Sequence, residues 1–163
     1  PGISLSPAHT VIVRPNGMTH MDITYRDNAR LSAAQAIDLY TRSTLGERRP
    51  VDRPDVFAGM LKHATLTITA WHGDSLVGIA RTLTDFVYVA YLADLAVDAA
   101  FQKRGIGTRL IQETRQRLAP ECMIVLLAAP QANAYYPKLG FEHHPRAWVL
   151  RGAGALAEST RTA

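Results

Sequence analysis

A short glycine-containing turn constrains this chain more than any other part of its sequence. The run Gln102-Lys103-Arg104-Gly105-Ile106-Gly107 lies between an apolar extended segment, Tyr91 to Val97, and an amphipathic helical segment, Ile106 to Leu118. Two glycines allow the main chain to curl so that successive N–H groups point into one concavity, and the helix that begins there adds the positive end of its dipole. The turn is therefore predicted to bind an anion such as a pyrophosphate.

The spacing of this turn argues against two common nucleotide-binding motifs. No lysine follows the second glycine, and Thr108 alone cannot supply the magnesium-binding end of a Walker loop. The three-glycine fingerprint of a dinucleotide fold is also missing, as is the acidic residue expected about 20 positions further on. Nucleotide hydrolysis and hydride transfer therefore have little support.

Three motifs occur in a fixed order along the chain: Leu95-Ala96-Val97, the run Gln102 to Gly107, and Tyr136-Pro137-Lys138-Leu139-Gly140-Phe141. Together they resemble the GNAT superfamily of acyl-CoA-dependent N-acetyltransferases. The resemblance covers about Met21 to Leu150. It implies an α/β fold in which a central mixed sheet of six or seven strands carries helices on both faces.

Hydrophobic periodicity and turn residues predict the individual elements. A capping box at Ser32 opens one helix through about Arg42, Pro54 starts a second, and Ile106 to Leu118 form a third. A strand, the turn with its helix, and a second strand make a βαβ unit, so those two strands should be parallel. The strands are predicted at Met21–Tyr25, Leu66–Trp71, Leu76–Leu83, Phe86–Val97, Cys122–Ala128, Phe141–His144 and Trp148–Arg151, with a further helix at about Gln131–Leu139 and an optional early strand at Thr10–Arg14.

Length and composition predict one compact domain. The 163 residues are 47% apolar, which is enough for a core of ordinary size. We expect an N-terminal extension at residues 1–20, an acetyltransferase domain at 21–151 and a flexible tail at 152–163. Because no apolar run approaches about 18 residues and the first residues lack a signal-peptide pattern, we expect a cytoplasmic protein without membrane partners.

Charge and metal-ligating residues exclude further classes. The formal net charge of +4 comes with no basic stripe interleaved with aromatics, which makes a nucleic-acid partner unlikely. Glu113 and Arg117 fit an i,i+4 pair, whereas Lys103 and Arg104 flank the proposed anion site. Cys122 opens an apolar run and is interpreted as a core residue, and the histidines show no ligand spacing, so no metal is predicted.

The resemblance implies acetyl-CoA as cosubstrate. Its pantetheine arm would lie like an added strand along the backbone of Leu95, Ala96 and Val97, and Asn133 would contact the same arm, although its spacing from Tyr136 is shorter than in many relatives. The phosphates would lie at the turn and first helical residues, namely Gln102, Lys103, Arg104, Gly105, Ile106, Gly107 and Thr108.

Acyl transfer needs a neutral amine, a donor for the oxyanion and a proton for the departing thiolate. Tyr136 occupies the tyrosine of the family's Tyr-x-x-x-Gly-Phe element and is the predicted general acid, since a phenol with a pKa near 10 can protonate a thiolate. Asp94 on the central strand is a weak candidate base, and a carboxylate satisfied by its neighbours is the alternative. Tyr91, His63 or a water chain could serve instead.

The acceptor is the least constrained part of the prediction. By resemblance it would be read by Leu39–Lys62 and His143–Trp148, both of mixed charge. A small primary amine is the first expectation, and a peptide or protein amine is the second. A toxin-type enzyme acting on aminoacyl-tRNA, a noncatalytic acyl-CoA sensor and a homodimeric assembly stay open.

Overall fold

The computed structural model describes residues 22–150 and residue 152. They belong to two compact units, one ending at Leu127 and the other beginning at Ala128. The optional strand at Thr10–Arg14, the residues Met21 and Arg151, and the tail beyond Gly152 lie outside the described part.

Local signals place the first two helices as the sequence predicts. Helix α1 (Ala33–Arg42) opens with a capping box in which Ser32 Oγ accepts the Gln35 N–H at 3.1 Å and Gln35 Oε1 accepts the Ser32 N–H at 3.0 Å. Helix α2 (Pro54–Lys62) begins with proline, whose missing N–H costs nothing in the first turn. A 3₁₀ helix, Thr44–Arg48, lies between them.

Five strands form one sheet in sequence order: β1 (Ile23–Asp27), β2 (Leu66–His72), β3 (Ser75–Thr84), β4 (Val89–Val97) and β5 (Met123–Val125). Neighbouring strands are antiparallel up to β4, and β4 pairs with β5 in parallel. Gly73, with φ of 57°, makes the tight turn between β2 and β3. The predicted hairpin and the predicted parallel pair are both confirmed.

Helices cover both faces of this sheet, as predicted. Helix α3 (Ile106–Gln116) lies against one face, so closely that a Cβ on Gly78 would come within 3.1 Å of Leu110 Cδ1 and 3.2 Å of Ile106 Cγ2. On the other face, α1 and α2 bury Tyr40 and Phe57, whose ring centroids are 4.8 Å apart in an edge-to-face contact, in one cluster with Ile79.

Two expectations about the first unit need correction. The strand predicted from Phe86 starts at Val89, because Asp85 Oδ1 accepts the N–H groups of Val87, Tyr88 and Val89 and holds a turn in which Phe86 has a φ of 70°. The strand predicted over Cys122–Ala128 is reduced to β5, three residues long.

The second unit differs more from expectation. The predicted helix at Gln131–Leu139 is two short 3₁₀ helices, Pro130–Ala132 and Tyr136–Leu139, since Pro137 has no N–H to continue a longer helix. The closing strands at Phe141–His144 and near Trp148 are absent from the described residues, where the chain turns at Pro145 instead. The described part of the sheet therefore has five strands, and the predicted six or seven is wrong for it.

Candidate active site

An open edge on β4 is the first element of the candidate site. On one side β4 pairs with β3 along its length, from Ala90 opposite Thr84 to Val97 opposite Gly78. On the other side its pairing with β5 ends at Tyr91. Among the described residues up to Leu127, the backbone from Leu92 to Val97 thus has no strand neighbour on this side. Such an edge can form main-chain hydrogen bonds with an extended ligand.

The chain leaves β4 through a tight connection that leads to the predicted anion site. Asp98 caps a short 3₁₀ helix, Ala99–Phe101, by accepting the Ala100 N–H at 2.9 Å. Gln102 then reaches back, and its Nε2 donates to the Val97 carbonyl at 3.0 Å. Gln102 is thereby shown to brace the turn through its side chain.

The turn has a curled backbone, to which Gly105 contributes a positive φ and Gly107 does not. Lys103 and Gly105 both have positive φ, of 61° and 80° respectively. Gly105 is the N-cap of α3 and has no side-chain cap, and the first intrahelical bond joins the Arg109 N–H to the Gly105 carbonyl at 2.9 Å. The N–H groups of Ile106 and Gly107 therefore precede the first intrahelical donor and are directed toward the start of the helix. These features fit the binding of a pyrophosphate.

Positive charge around α3 divides into two groups. Arg109 and Arg117 form ion pairs with Glu113 at 2.5 and 2.8 Å, so the predicted i,i+4 pair is confirmed and extended. Lys103 and Arg104 are exposed beside the turn, where Arg104 Cζ lies 5.8 Å from the centroid of the Phe101 ring. Thr108 lies half-buried in the first turn of α3. Cys122 is 3% exposed, in agreement with its interpretation as a core residue.

A β-bulge interrupts β4 at Ala93. Leu92 pairs with Thr82 and Asp94 with Arg81, so one residue of β4 is left without a partner between two consecutive residues of β3. Because directly paired side chains share a face, Leu92 and Asp94 lie on opposite faces of the sheet although they are two positions apart. Leu92 shares the face of α3, and Asp94 shares the face of α1 and α2.

Asp94 is the centre of a buried polar cluster. It is 2% exposed. Its Oδ2 accepts hydrogen bonds from the Tyr40 hydroxyl at 2.9 Å and from Arg81 Nε at 2.5 Å, and its Oδ1 accepts from Arg49 Nε at 2.5 Å. Burial, followed by the neighbouring Asp94 charge, raises the pKa of Tyr40 well above its usual value. A carboxylate with these partners favours the structural alternative for Asp94 over the role of a free base.

The other candidate bases are more accessible. Tyr91 is 38% exposed at the last position paired with β5, on the face that Asp94 occupies. His63 is exposed and forms the C-cap of α2. On β4 itself, Leu95 and Val97 are half-buried and Ala96 is buried, so their side chains pack while their backbone lies at the open edge.

Two predicted site residues lie in the second unit. Tyr136 begins the 3₁₀ helix Tyr136–Leu139, is half-buried, and has its ring 5.5 Å from that of Phe141 and 5.3 Å from that of Tyr135. Burial, with a smaller effect of Tyr135, raises the pKa of Tyr136 above 10, so its phenol carries a proton at neutral pH. Asn133 is exposed after the helix Pro130–Ala132.

Sequence reasoning did not identify the hydrogen-bond partners of Asp94. Tyr40, Arg49 and Arg81 converge there from α1, the loop after it and β3. One signal could have indicated such a cluster, since an aspartate on an apolar central strand must have charged or hydrogen-bonding partners. No group of three or more potential metal ligands occurs among residues 22–150.

A mixed sheet, a parallel β4–β5 pair and a curled, glycine-containing turn at the start of α3 are the arrangement that the resemblance to the GNAT superfamily implies. Residues 43–152 match the family model described as acetyltransferase (GNAT) domain. The chain therefore belongs to the GNAT family, as the sequence motifs predicted.

Relatives and solved structures agree with this assignment. The chain is 32% identical over 128 residues to an uncharacterized N-acetyltransferase of Porphyra purpurea, covering 71% of each chain. It is 29% identical over 132 residues to histone acetyltransferase TAP1 of Glycine max, which covers 70% of this chain but only 56% of that relative. A GNAT-family acetyltransferase of Streptococcus pneumoniae shares the fold with a TM-score of 0.65 at 22% identity, over 80% of this chain and 99% of that one.

A further fold relative is an aminoglycoside acetyltransferase from an uncultured soil metagenomic sample, solved in complex with sisomicin. It has a TM-score of 0.57 at 18% identity and covers 79% of this chain and 95% of that chain. Between residues 22 and 150, no helix combines the length and the apolar character needed to cross a bilayer.

Proposed function

We propose that this protein is an N-acetyltransferase that moves the acetyl group of acetyl-CoA to a primary amine by direct attack. The observation that carries the proposal is that the open edge of β4, residues 92–97, is followed directly by the curled turn at Gln102–Gly107. An extended arm that ends in a pyrophosphate needs both features in this order. GNAT family membership supports the same reaction class.

The cosubstrate would be held mainly by backbone groups. The edge at Leu95, Ala96 and Val97 would pair with the amide-containing arm, and the turn would receive the pyrophosphate through its N–H groups. Lys103 and Arg104 add positive charge beside that position. Acetyl-CoA supplies an activated thioester, and the products are the N-acetyl amine and free CoA thiol.

Catalysis then requires two proton movements by residues of this chain. Tyr136 is the proposed general acid, because its phenol is protonated at neutral pH and can donate to the departing thiolate. A water molecule near the exposed Tyr91 is the proposed route by which the amine loses its proton, with His63 as the second candidate. Asp94 is left out of this role because its oxygens already accept three hydrogen bonds.

The acceptor side would include the segment Leu39–Lys62. This segment mixes acidic and basic side chains, which suits a small polar amine. The aminoglycoside in the metagenomic relative is also a small polar amine, whereas the soybean relative's name refers to a histone. We place the small-molecule amine first and a peptide or protein amine second.

Acetyl-CoA binding is tested by thermal shift. Ligand at about 100 times its dissociation constant should stabilise the fold by about 2.7 kcal/mol. Gly105→Ala should weaken this response, because alanine at a φ of 80° disfavours the curled turn by about 1–2 kcal/mol. Gly73→Ala is a matched control: Gly73 also has a positive φ and open space around its missing Cβ, but it lies in the β2–β3 turn.

A wild-type protein that shows no shift with acetyl-CoA would refute the proposal. If the cosubstrate binds, a panel of amines with detection of free CoA thiol should identify turnover. Binding without thiol release would favour a noncatalytic acyl-CoA sensor. Steeply salt-dependent binding of tRNA together with acetylation of aminoacyl-tRNA would favour the toxin-type alternative.

A further inference from the structure

Arg49 is joined to β4 by hydrogen bonds from its guanidinium. One guanidinium donates from Nε to Asp94 Oδ1 at 2.5 Å, from Nη2 to the Ala93 carbonyl at 2.8 Å, and from Nη1 to the Arg48 carbonyl at 2.9 Å. It therefore holds the bulge of β4 by both a side chain and a backbone oxygen. The planar fork of arginine permits this double contact, and a lysine ammonium cannot reproduce its geometry.

The loop that carries Arg49 is fixed to α1 at its other end. Ser43 Oγ donates to the Tyr40 carbonyl at 3.0 Å and accepts the Leu45 N–H at 3.3 Å. Gly46 packs so tightly that a Cβ there would lie 2.6 Å from the Tyr40 oxygen. Arg49 follows the 3₁₀ helix Thr44–Arg48 as its C-cap. Its guanidinium is thus a hydrogen-bonded tether between the far end of this loop and β4.

The charge of Asp94 does not depend on Arg49 alone. Asp94 Oδ2 accepts from both Arg81 and Tyr40, and the Arg81 side chain is 9% exposed, against 27% for that of Arg49. Without Arg49 the buried carboxylate would still have a guanidinium partner, so the fold should persist. The loss would be confined to the contact between the loop and the bulge.

We infer that Arg49 is a positioning residue for the acceptor amine: it fixes the loop at residues 44–49 against the bulge in the open edge of β4. This inference rests on the proposed function, in which the loop belongs to the acceptor side and the edge to the acyl side. A loosened loop would let the amine sample unproductive positions, while the turn at Gln102–Gly107 would be untouched. Misplacement of about 1 Å is enough to cost about 100-fold in rate.

The test compares Arg49→Ala and Arg49→Lys with wild type. Arg30→Ala serves as the control, since Arg30 is exposed and lies before α1. For Arg49→Ala we expect kcat/KM for the amine to fall at least about tenfold, with acetyl-CoA affinity within about threefold of wild type. Arg49→Lys should keep the melting temperature but recover only part of the activity, and added guanidinium ion should partly rescue Arg49→Ala because the site is partly exposed.

Hydrogen exchange supplies a readout that does not require turnover. The amides of residues 44–49 should exchange faster in Arg49→Ala than in wild type or Arg30→Ala. If Arg49→Ala keeps its amine kcat/KM within about twofold, or loses acetyl-CoA affinity in parallel, the inference is wrong. If the wild type acetylates no amine, the proposed function fails, and unchanged exchange at residues 44–49 would then overturn the tether as well.

Discussion

The substitution Asp94→Asn tests whether the carboxylate of Asp94 has a structural or a catalytic role. The substitution keeps the shape of the side chain but removes its charge, leaving one amide oxygen to serve the donors of Tyr40, Arg49 and Arg81. Two guanidinium charges would lose their counter-charge. The effect would be largest at Arg81, because its side chain is only 9% exposed and water cannot solvate its charge.

The size of the effect follows from this burial. Removing one partner of a buried ion pair costs about 3–5 kcal/mol. Arg49 is partly solvated, so its share is reduced, and the lower end of that range, about 3 kcal/mol, is the expected loss of unfolding free energy. For a folded domain of this size, a loss of that magnitude lowers the melting temperature by roughly 10 °C.

Thermal melts followed by circular dichroism, with urea titrations beside them, measure this loss. Asp55→Asn is the matched control, since Asp55 pairs with Arg53 at 2.9 Å on the exposed surface, and it should melt like the wild type. An Asp94→Asn protein with an unchanged melting temperature would contradict the structural role. If the same protein had also lost turnover, Asp94 would have to be reinstated as a base.

Three further predictions concern other parts of the molecule. Tyr136→Phe should lower turnover at least about tenfold while acetyl-CoA affinity, measured by calorimetry, stays nearly intact, and an unchanged rate would remove Tyr136 as the acid. Gly78→Ala should cost about 1–3 kcal/mol in urea unfolding, because its Cβ would lie 3.2 Å from that of Ala70 beneath α3; a neutral result would mean that α3 shifts freely. Burial raises the pKa of Glu113, but hydrogen bonds from Arg117 and Arg109 lower it more, so its folded-state pKa lies below the usual value. The ionised Glu113 therefore stabilises the fold above its usual pKa, and this stability is lost as the pH falls through the folded-state pKa. Glu113→Gln should therefore lower the melting temperature near neutral pH, and this drop should shrink as the pH falls below the usual range of a glutamate; a drop that stays the same at every pH would refute this.

Elements that depend on local signals could be predicted from the sequence. The capping box at Ser32, Pro54 at a helix start and the turn at Gly73 each specify the backbone within a few residues. The turn at Gln102–Gly107 belongs to the same group, because two glycines between an apolar run and an amphipathic helix leave little choice. The position of the turn proposed to bind the pyrophosphate was therefore predictable.

Features that depend on contacts between distant segments were not predictable. The bulge at Ala93 has no residue signature, since it is defined by the register of β4 against β3. Arg49 and Asp94 are 45 positions apart, and Arg49 lies among charges of both signs that are typical of a solvated surface. The predicted closing strands are absent from the described residues for a related reason, because a strand needs a partner edge as well as a suitable composition.

Ala93 is the one residue of β4 that the pairing of the sheet does not use. A chain without it would place Leu92 and Asp94 next to each other, and ordinary alternation would then send them to opposite faces, opposite the same Thr82 and Arg81. Every other pair of the two strands could be kept. Ala93 is thus an extra residue that changes the strand direction locally. It also provides one backbone carbonyl, the oxygen that accepts a hydrogen bond from Arg49.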